Sequence, residues 1–288
     1  MAEGLTDLVR AELARPVDPR VREMAEAIAA LHPGAARAIL FYGSCLQQRR
    51  LEGLMLDFYL IVSDYRDAYR GLWLTLANTL LPPNVFPFAL GGLAAKYAVL
   101  SEADFARLNG PEAGDVSVWA RFAQPSRLVW AADEAAAEAA VAAVGRAAPT
   151  LMSWAAPMAE TGADPLAIWR RGFALTYASE LRAERQGRSG SIVDAEPERY
   201  RRFAEAAEAT PAPGAAKAWR RFRRRGKTLS VLRLAKAATT FAGGADYLAW
   251  KINRHAGTRI MVRPWQRRWP ILGALILLPR LLLRGAIR

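Results

Sequence analysis

The sequence contains almost no cysteine or histidine. Its 288 residues include one cysteine, Cys45, and two histidines, His32 and His255. A single thiol excludes both a disulfide within the chain and a cysteine-based metal cluster. Histidine is the most frequent general base in enzymes, so its scarcity favours chemistry that needs no strong base.

Long apolar runs are also missing. No stretch reaches the roughly 18 apolar residues that a membrane-spanning helix needs. The first 18 residues contain acids and no apolar segment, so they predict neither a secretory signal nor a transit peptide. Hydrophobic residues make up 52% of the chain and charged residues 23%, which is ordinary for a folded protein. The length predicts one large domain or two modest ones with a sizeable core.

Acidic residues are nearly absent from the last quarter of the chain. Residues 217–288 contain 18 lysines and arginines but one acid, Asp246. The preceding residues contain 22 basic and 26 acidic side chains. Such asymmetry is typical of a chain that binds a polyanion, either nucleic acid or an anionic membrane surface. The basic run Arg220–Lys227 is a candidate for that contact.

The C-terminal segment Trp269–Arg288 combines a short apolar core with aromatic and basic flanks. Its core, Ile271–Leu278, spans only about 12 Å as a helix, against roughly 30 Å for a bilayer core. Tryptophan and arginine beside such a core predict an amphipathic helix in the membrane interface. The alternative is a helix packed on the protein core or on a second subunit. The candidate membrane-binding residues are Arg223, Arg224, Trp265, Arg267, Arg268, Trp269, Arg280 and Arg284.

Periodicity predicts an α+β protein with a small mixed sheet in its first half and helices in its second half. The predicted strands are Ala38–Tyr42, Leu54–Val62, Ala94–Leu100 and Ser126–Trp130. Val85–Leu90 is interrupted by Pro87, which predicts an edge strand or an extended loop. The predicted helices include Leu5–Leu13, Pro19–Leu31, Asp67–Leu81, Asp133–Val144, Pro165–Arg185, Pro197–Ala209, Ala215–Arg225 and Leu229–Phe241.

The stretch Arg37–Asp64 is predicted to form a strand, a Gly43–Ser44 turn and a second strand that contains one acid, Asp57. A Gly-Ser turn followed by a carboxylate on the neighbouring strand is how nucleotidyltransferases hold a nucleoside triphosphate. The backbone N–H groups and the serine hydroxyl contact phosphates, and the carboxylate holds Mg²⁺. A lone acid among apolar strand residues is costly unless it is paired or metal-bound. The alternatives are an ordinary tight turn and a structural ion pair.

Six short segments form a further pattern along the chain, namely Phe41–Ser44, Met55–Val62, Lys96–Ser101, Ala120–Pro125, Leu175–Arg182 and Leu234–Gly243. Together they extend from about residue 36 to about residue 245 of this chain. In this order they resemble motifs of the mitochondrial-type phosphatidate cytidylyltransferases, the translocator assembly and maintenance family. The family makes CDP-diacylglycerol and pyrophosphate from CTP and phosphatidic acid, with Mg²⁺ as cofactor.

The resemblance implies a set of site residues. The implied catalytic residues are Asp57, Lys96, Glu180 and Arg182, with Asp57 and Glu180 as metal ligands. The implied nucleotide-binding residues are Tyr42, Gly43, Ser44, Tyr69, Arg121 and Lys236. The chain departs from the family pattern at Glu180, where the family has aspartate, at Ser179, where it has glycine, and near Tyr69, where a histidine is absent. The chain thus resembles a divergent bacterial member.

The resemblance also implies an organisation and a location. Residues 1–147 are expected to form a nucleotidyltransferase-like domain, residues 148–213 a helical, winged-helix-like domain, and residues 214–288 a basic region that ends in the interfacial helix. The expected location is the cytoplasmic face of a bacterial inner membrane, or the matrix face of the mitochondrial inner membrane in a eukaryote. CTP, phosphatidic acid and an anionic membrane surface are the expected partners, with no nucleic acid. Two alternatives stay open: a nucleotidyltransferase acting on RNA or protein, and a catalytically inactive membrane-associated scaffold.

Overall fold

A computed structural model of the chain describes residues 4–47, 51–180 and 188–240. These residues form an α+β fold built on a five-stranded mixed sheet. The strands are β1 (Ala36–Tyr42), β2 (Met55–Val62), β3 (Asn84–Leu90), β4 (Leu93–Ser101) and β5 (Ser126–Ala131). The predictions for β1, β2, β4 and β5 are confirmed within two residues at each end. Val85–Leu90 is confirmed as an edge strand, where Pro87 removes no hydrogen bond from the interior of the sheet.

The strands lie in the order β3-β4-β2-β1-β5. Three of the four neighbouring pairs are antiparallel, whereas β2 and β4 are parallel. A parallel pair needs a crossover, and the chain between β2 and β4 provides it. In the register of these pairs, Tyr42 lies opposite Asp57, and Asp57 lies opposite Lys96. Three neighbouring strands therefore bring predicted site residues to one end of the sheet.

Twelve helices are described, together with 3₁₀ turns at Ser44–Gln47 and Ala156–Met158. Several begin at a side chain that accepts backbone N–H groups, for example Asp18, Ser101, Asp133 and Asp164. The helices are α1 (Leu5–Leu13), α2 (Pro19–Ala30), α3 (Tyr65–Ala68), α4 (Leu72–Leu80), α5 (Glu102–Asn109), α6 (Trp119–Phe122), α7 (Glu134–Gly145), α8 (Ala147–Ala155), α9 (Pro165–Ser179), α10 (Arg188–Ala195), α11 (Pro197–Ala206) and α12 (Ala215–Thr240).

Each face of the sheet buries its own apolar core. Alternation along the strands places Leu40 and Tyr59 on one face and Phe41 and Phe58 on the other. The first face packs against helices that include α1, α5–α9, α11 and α12, and this core continues as far as Phe222. It therefore crosses the predicted domain boundary after residue 147 without a break. The second face packs against α2 and α3.

Two predictions of where helices are continuous were wrong. The predicted helix Asp67–Leu81 is instead two helices, α3 and α4. The backbone between them is extended at Tyr69 (φ −129°, ψ 130°), and Gly71 lies two residues further on. The two helices predicted between Ala215 and Phe241 are instead one helix, α12, as far as the structure describes them. No helix among residues 4–47, 51–180 and 188–240 is long and apolar enough to cross a membrane.

Candidate functional site

The turn after β1 approaches the carboxylate of β2 closely. Gly43 has a φ of +94°, which lies in the left-handed region that glycine tolerates best. A Cβ atom at this position would lie 3.3 Å from Asp57 Oδ2. The absence of a side chain therefore leaves the backbone of the turn and the carboxylate facing each other. Ser44 begins the 3₁₀ turn that follows.

Asp57 and Lys96 form an ion pair across the parallel strands. Lys96 Nζ lies 2.9 Å from Asp57 Oδ1, and both side chains are half-buried. Among the described residues, Asp57 Oδ1 is a buried oxygen without a hydrogen-bond partner, so the contact with Lys96 lacks hydrogen-bond geometry. A buried carboxylate oxygen in this condition still has capacity to bind a cation. The pairing of these strand residues thus produces a polar end on the first face of the sheet.

Two tyrosines line this face beside Asp57, of which Tyr59 is buried and Tyr42 is half-buried. Their rings lie 5.3 Å apart, Tyr42 on β1 and Tyr59 on β2. Burial and the charge of Asp57 raise the pKa of Tyr42 well above its ordinary value, although Arg121 opposes the shift. Burial likewise raises the pKa of Tyr59. Both phenols are therefore neutral near pH 7 and can act as hydrogen-bond donors, while the site's net charge comes from its acids and cations.

Arg121 and Glu180 form a second ion pair next to the tyrosines. Arg121 Nη1 lies 3.2 Å from Glu180 Oε1 and also donates to the carbonyl of Ser117. Burial by itself would lower the pKa of Arg121, but Glu180 and the two tyrosines outweigh it and raise the pKa. Glu180 is the C-cap of α9, and Arg121 lies on α6. The structure thus brings together two predicted site residues, Arg121 and Glu180, that are 59 positions apart in the sequence.

A third ion pair, which the sequence did not predict, extends the cluster. Arg233 on α12 donates to Asp115 Oδ2 at 3.0 Å and to Ser117 Oγ at 3.1 Å. Burial would raise the pKa of Asp115, but the charge and hydrogen bonds of Arg233, with those of Ser117, lower it. Arg233 is one of many basic residues in the last quarter of the chain, and Asp115 lies in an irregular loop. The sequence singles out neither residue, and only their tertiary contact places them in the cluster.

Two predicted nucleotide-binding residues lie away from Asp57. Tyr69 is buried in the core of the second face, where its hydroxyl accepts a hydrogen bond from Asn78 Nδ2 at 3.3 Å. Lys236 Nζ donates to the carbonyls of Ala77 and Leu81, at the C-terminal end of α4. Burial, with Arg233 nearby, lowers the pKa of Lys236 to about 7. In this conformation Lys236 caps a helix, and Tyr69 is separated from Asp57 by the sheet.

Other predicted site residues lie outside the described residues, namely Arg182, Trp265, Arg267, Arg268, Trp269, Arg280 and Arg284, together with the predicted C-terminal interfacial helix. Arg223 and Arg224 are described and exposed on α12. This helix contains nine lysines and arginines and no acid. Its exposed side is therefore strongly cationic, as the prediction of a polyanion contact requires.

Gly226 allows α12 to contact the end of α9 that presents Glu180. A Cβ atom at Gly226 would lie 2.3 Å from the carbonyl oxygen of Ser179. Because backbone cannot move aside as a flexible side chain can, we expect Gly226→Ala to lower the free energy of unfolding by about 1–3 kcal/mol. Urea unfolding of the purified variant measures this change.

Gly145→Ala is the matched control for this substitution. Gly145 is also helical, at the end of α7, and a Cβ atom there would meet no atom within 4 Å. Helix propensity alone should then raise the free energy of unfolding, by up to about 1 kcal/mol. Equal stabilisation by both substitutions would show that α12 does not pack closely on α9.

The described residues contain no group of three or more histidine, cysteine, aspartate or glutamate side chains that could hold a metal ion. Both implied metal ligands are ion-paired in this conformation, Asp57 with Lys96 and Glu180 with Arg121, and Asp57 Oδ1 makes no hydrogen bond. No protein-family model matches the chain, and no curated protein matches it. The geometry and chemistry of the site therefore carry the functional argument.

Proposed function

We propose that this protein is a Mg²⁺-dependent nucleotidyltransferase that makes CDP-diacylglycerol from CTP and phosphatidic acid at a membrane surface. The observation that carries the proposal is the approach of the Gly43 turn to Asp57, with Lys96 on the next strand. A glycine turn, a carboxylate and a cation then occupy adjacent positions on three neighbouring strands. This arrangement supports a nucleotidyltransferase fold, and the motif resemblance supports the lipid substrate.

The residues present fit one magnesium ion that is bound together with a nucleotide. Mg²⁺ is commonly held by one or two carboxylates together with substrate phosphates and water. Asp57 Oδ2 faces the Gly43 turn, and Oδ1, which is paired with Lys96, makes no hydrogen bond. When bound, the ion would neutralise negative charge on the phosphates. Glu180 as the second ligand stays a prediction, because in this conformation its carboxylate pairs with Arg121.

The reaction is an in-line displacement at the α-phosphorus of CTP. An oxygen of the phosphatidate phosphate forms a new bond to that phosphorus, the bond to the β-phosphate oxygen breaks, and pyrophosphate leaves. The nucleophile is already ionised, so the scarcity of histidine is no obstacle. The backbone N–H groups of the Gly43 turn bind the triphosphate, and Lys96 and Arg121 neutralise its charge and orient it.

The experiment that tests the proposal uses CTP labelled at the α-phosphate. The purified full chain is incubated with the nucleotide, Mg²⁺ and vesicles containing phosphatidic acid, and the lipid phase is extracted. We expect label in the lipid phase, and none when EDTA removes the metal. A folded protein that transfers no label to lipid would overturn the proposal. Label on added RNA or protein would identify a nucleotidyltransferase that acts on one of those substrates. Absence of CTP binding in calorimetry would identify a catalytically inactive membrane-associated scaffold.

Gly43→Ala should lower the transfer rate about a hundredfold, since a misplacement of about 1 Å in a reacting geometry has that effect. The added Cβ atom would occupy the space between the turn and Asp57. Gly34→Ala is the matched control, because Gly34 also has a positive φ, +75°, but a Cβ atom there meets nothing within 4 Å. Both variants should lose similar stability, as measured by urea unfolding. Equal rates in both would place the Gly43 turn outside the site.

A further inference from the structure

Helix α4 presents an apolar face to solvent. Its sequence, LWLTLANTL, contains no charged residue. Four large side chains on one side of the helix are exposed, and their exposed fractions are 88% for Leu72, 61% for Trp73, 53% for Leu76 and 74% for Leu80. Their spacing places them within about 100° of arc around the helix axis. A contiguous apolar surface of this kind is typical of a site that contacts a membrane or another protein.

The opposite side of α4 is fixed to the sheet by polar contacts. Asn78 is fully buried, its Nδ2 donates to the carbonyl of Val99 at 2.9 Å, and its Oδ1 accepts the backbone N–H of Asn84. Asn84 Nδ2 in turn donates to the carbonyl of Leu74 at 3.0 Å. Rotating the leucines inward would leave these buried polar groups without partners, which is costly. The apolar face is therefore held outward by the fold.

The end of α4 contacts the basic helix α12. Lys236 donates to the last carbonyls of α4, and Arg233 Nε donates to the carbonyl of Pro82 at 2.8 Å. One turn before Lys236, Leu232 is 48% exposed. The uncharged apolar face thus lies beside a helix with nine basic residues and no acid. Apolar side chains including tryptophan, next to a cationic helix, match the chemistry of an anionic bilayer surface.

We propose that the apolar face of α4 inserts into the interface of an anionic lipid bilayer, while the basic side of α12 contacts the lipid phosphates. This surface is connected to the candidate site by direct contacts, because Arg233 also binds Asp115 and Ser117, and the carbonyl of Ser117 binds Arg121. Docking through α4 is therefore linked to Arg121 of the candidate site by hydrogen bonds that run through Arg233 and Ser117. The proposal rests on the proposed function only for the identity of the lipid substrate.

Vesicle co-sedimentation of the full chain tests the docking surface without any turnover. The test variant is the double substitution Leu76→Ser with Leu80→Ser, and its control is Leu31→Ser, at an exposed leucine on the C-cap of α2. Leu31 is 55% exposed, close to the 53% of Leu76. On vesicles of phosphatidylcholine with phosphatidic acid, we expect the partition coefficient of the double variant to fall about tenfold or more. Binding equal to that of Leu31→Ser would overturn the proposal.

A local probe separates insertion of α4 from binding by other parts of the chain. Cys45 is buried, so a surface cysteine in a Leu76→Cys or Leu31→Cys variant can be labelled selectively with an environment-sensitive fluorophore. We expect anionic vesicles to shift the emission to the blue at position 76 and to leave position 31 unchanged. A blue-shifted probe before vesicles are added would show that protein covers the face. A wild-type dimer that the double variant dissociates, in light scattering, would assign the face to self-association.

Activity on two forms of the substrate distinguishes this inference from the proposed function. The double variant should lose turnover on phosphatidic acid in vesicles and keep it on a dispersed short-chain phosphatidic acid. Equal losses on both substrates would contradict a docking role. If the wild-type chain turns over neither form, the proposed function fails, and the partition and fluorescence results still decide whether α4 docks on lipid.

Discussion

Asp57→Asn should lower the rate of nucleotidyl transfer by at least about a thousandfold, equivalent to about 4 kcal/mol of transition-state stabilisation. The substitution keeps the shape of the side chain but removes the negative charge that faces both Lys96 and the Gly43 turn. Initial rates with labelled CTP and phosphatidic acid vesicles measure the loss. We also expect the Mg²⁺ concentration for half-maximal rate to rise, since Asp57 is the proposed ligand.

The fold should tolerate this substitution. The pair that Asp57 forms with Lys96 is only half-buried, and pairs of that kind contribute about 1 kcal/mol or less to stability. Urea unfolding should therefore give nearly wild-type values. Asp7→Asn, at an exposed acid on α1, is the control and should leave the rate unchanged. An Asp57→Asn protein with a near wild-type rate would remove Asp57 from the site.

The largest expected loss of stability follows from breaking the buried pair between Arg199 and Glu12. Arg199 Nη2 lies 2.8 Å from Glu12 Oε1, Arg199 Nε donates to the other carboxylate oxygen, and both side chains are buried. Arg199 Nη1 also donates to the carbonyl of Ala123. Glu12→Leu leaves a buried guanidinium without its counter-charge, so we expect the free energy of unfolding to fall by about 3–5 kcal/mol. Urea unfolding measures the change.

A double-mutant cycle separates the cost of the broken pair from the value of the intact one. Glu12→Leu combined with Arg199→Met replaces both charges by apolar groups, and it should restore most of the stability that either single substitution loses. Arg170→Met is the surface control, because its pair with Asp194 is exposed and should contribute about 1 kcal/mol or less. If the double variant instead loses the sum of the two single losses, the coupling energy is zero and the two charges do not stabilise each other.

Strands and their turn could be predicted from sequence because their signals are local. The apolar run of β2 with a single acid, and the glycine before Ser44, both depend on neighbouring residues. The register that places Lys96 opposite Asp57 could not be predicted, since parallel pairing depends on how a long crossover packs. The position of Tyr69 across the sheet from Asp57 could not be predicted either, because it depends on where the helix beside Tyr69 packs.

Contacts between distant segments account for the other differences. The low helix propensity of Gly226 favours a break in the helix. Helix α12 nevertheless continues through Gly226. At this position only glycine leaves room for the carbonyl of Ser179. In the sequence, Arg233 is similar to the other basic residues in the last quarter of the chain, and only its pairing with Asp115 in the structure distinguishes it. The sequence predicted one helix over Asp67–Leu81 without saying which side faces outward, whereas the buried contacts of Asn78 decide this for α4.

Trp219 and Phe222 pack against Trp119 and Trp154 in the core that also covers the first face of the sheet, and this has a consequence for synthesis of the chain. A chain emerges from the ribosome N-terminal end first, so all five strands are available before these two side chains exist. Until α12 has been made, one apolar face of the sheet lacks its final cover, and Arg233 cannot yet pair with Asp115. Nascent chains that stop before residue 215 should therefore be aggregation-prone and depend on chaperones.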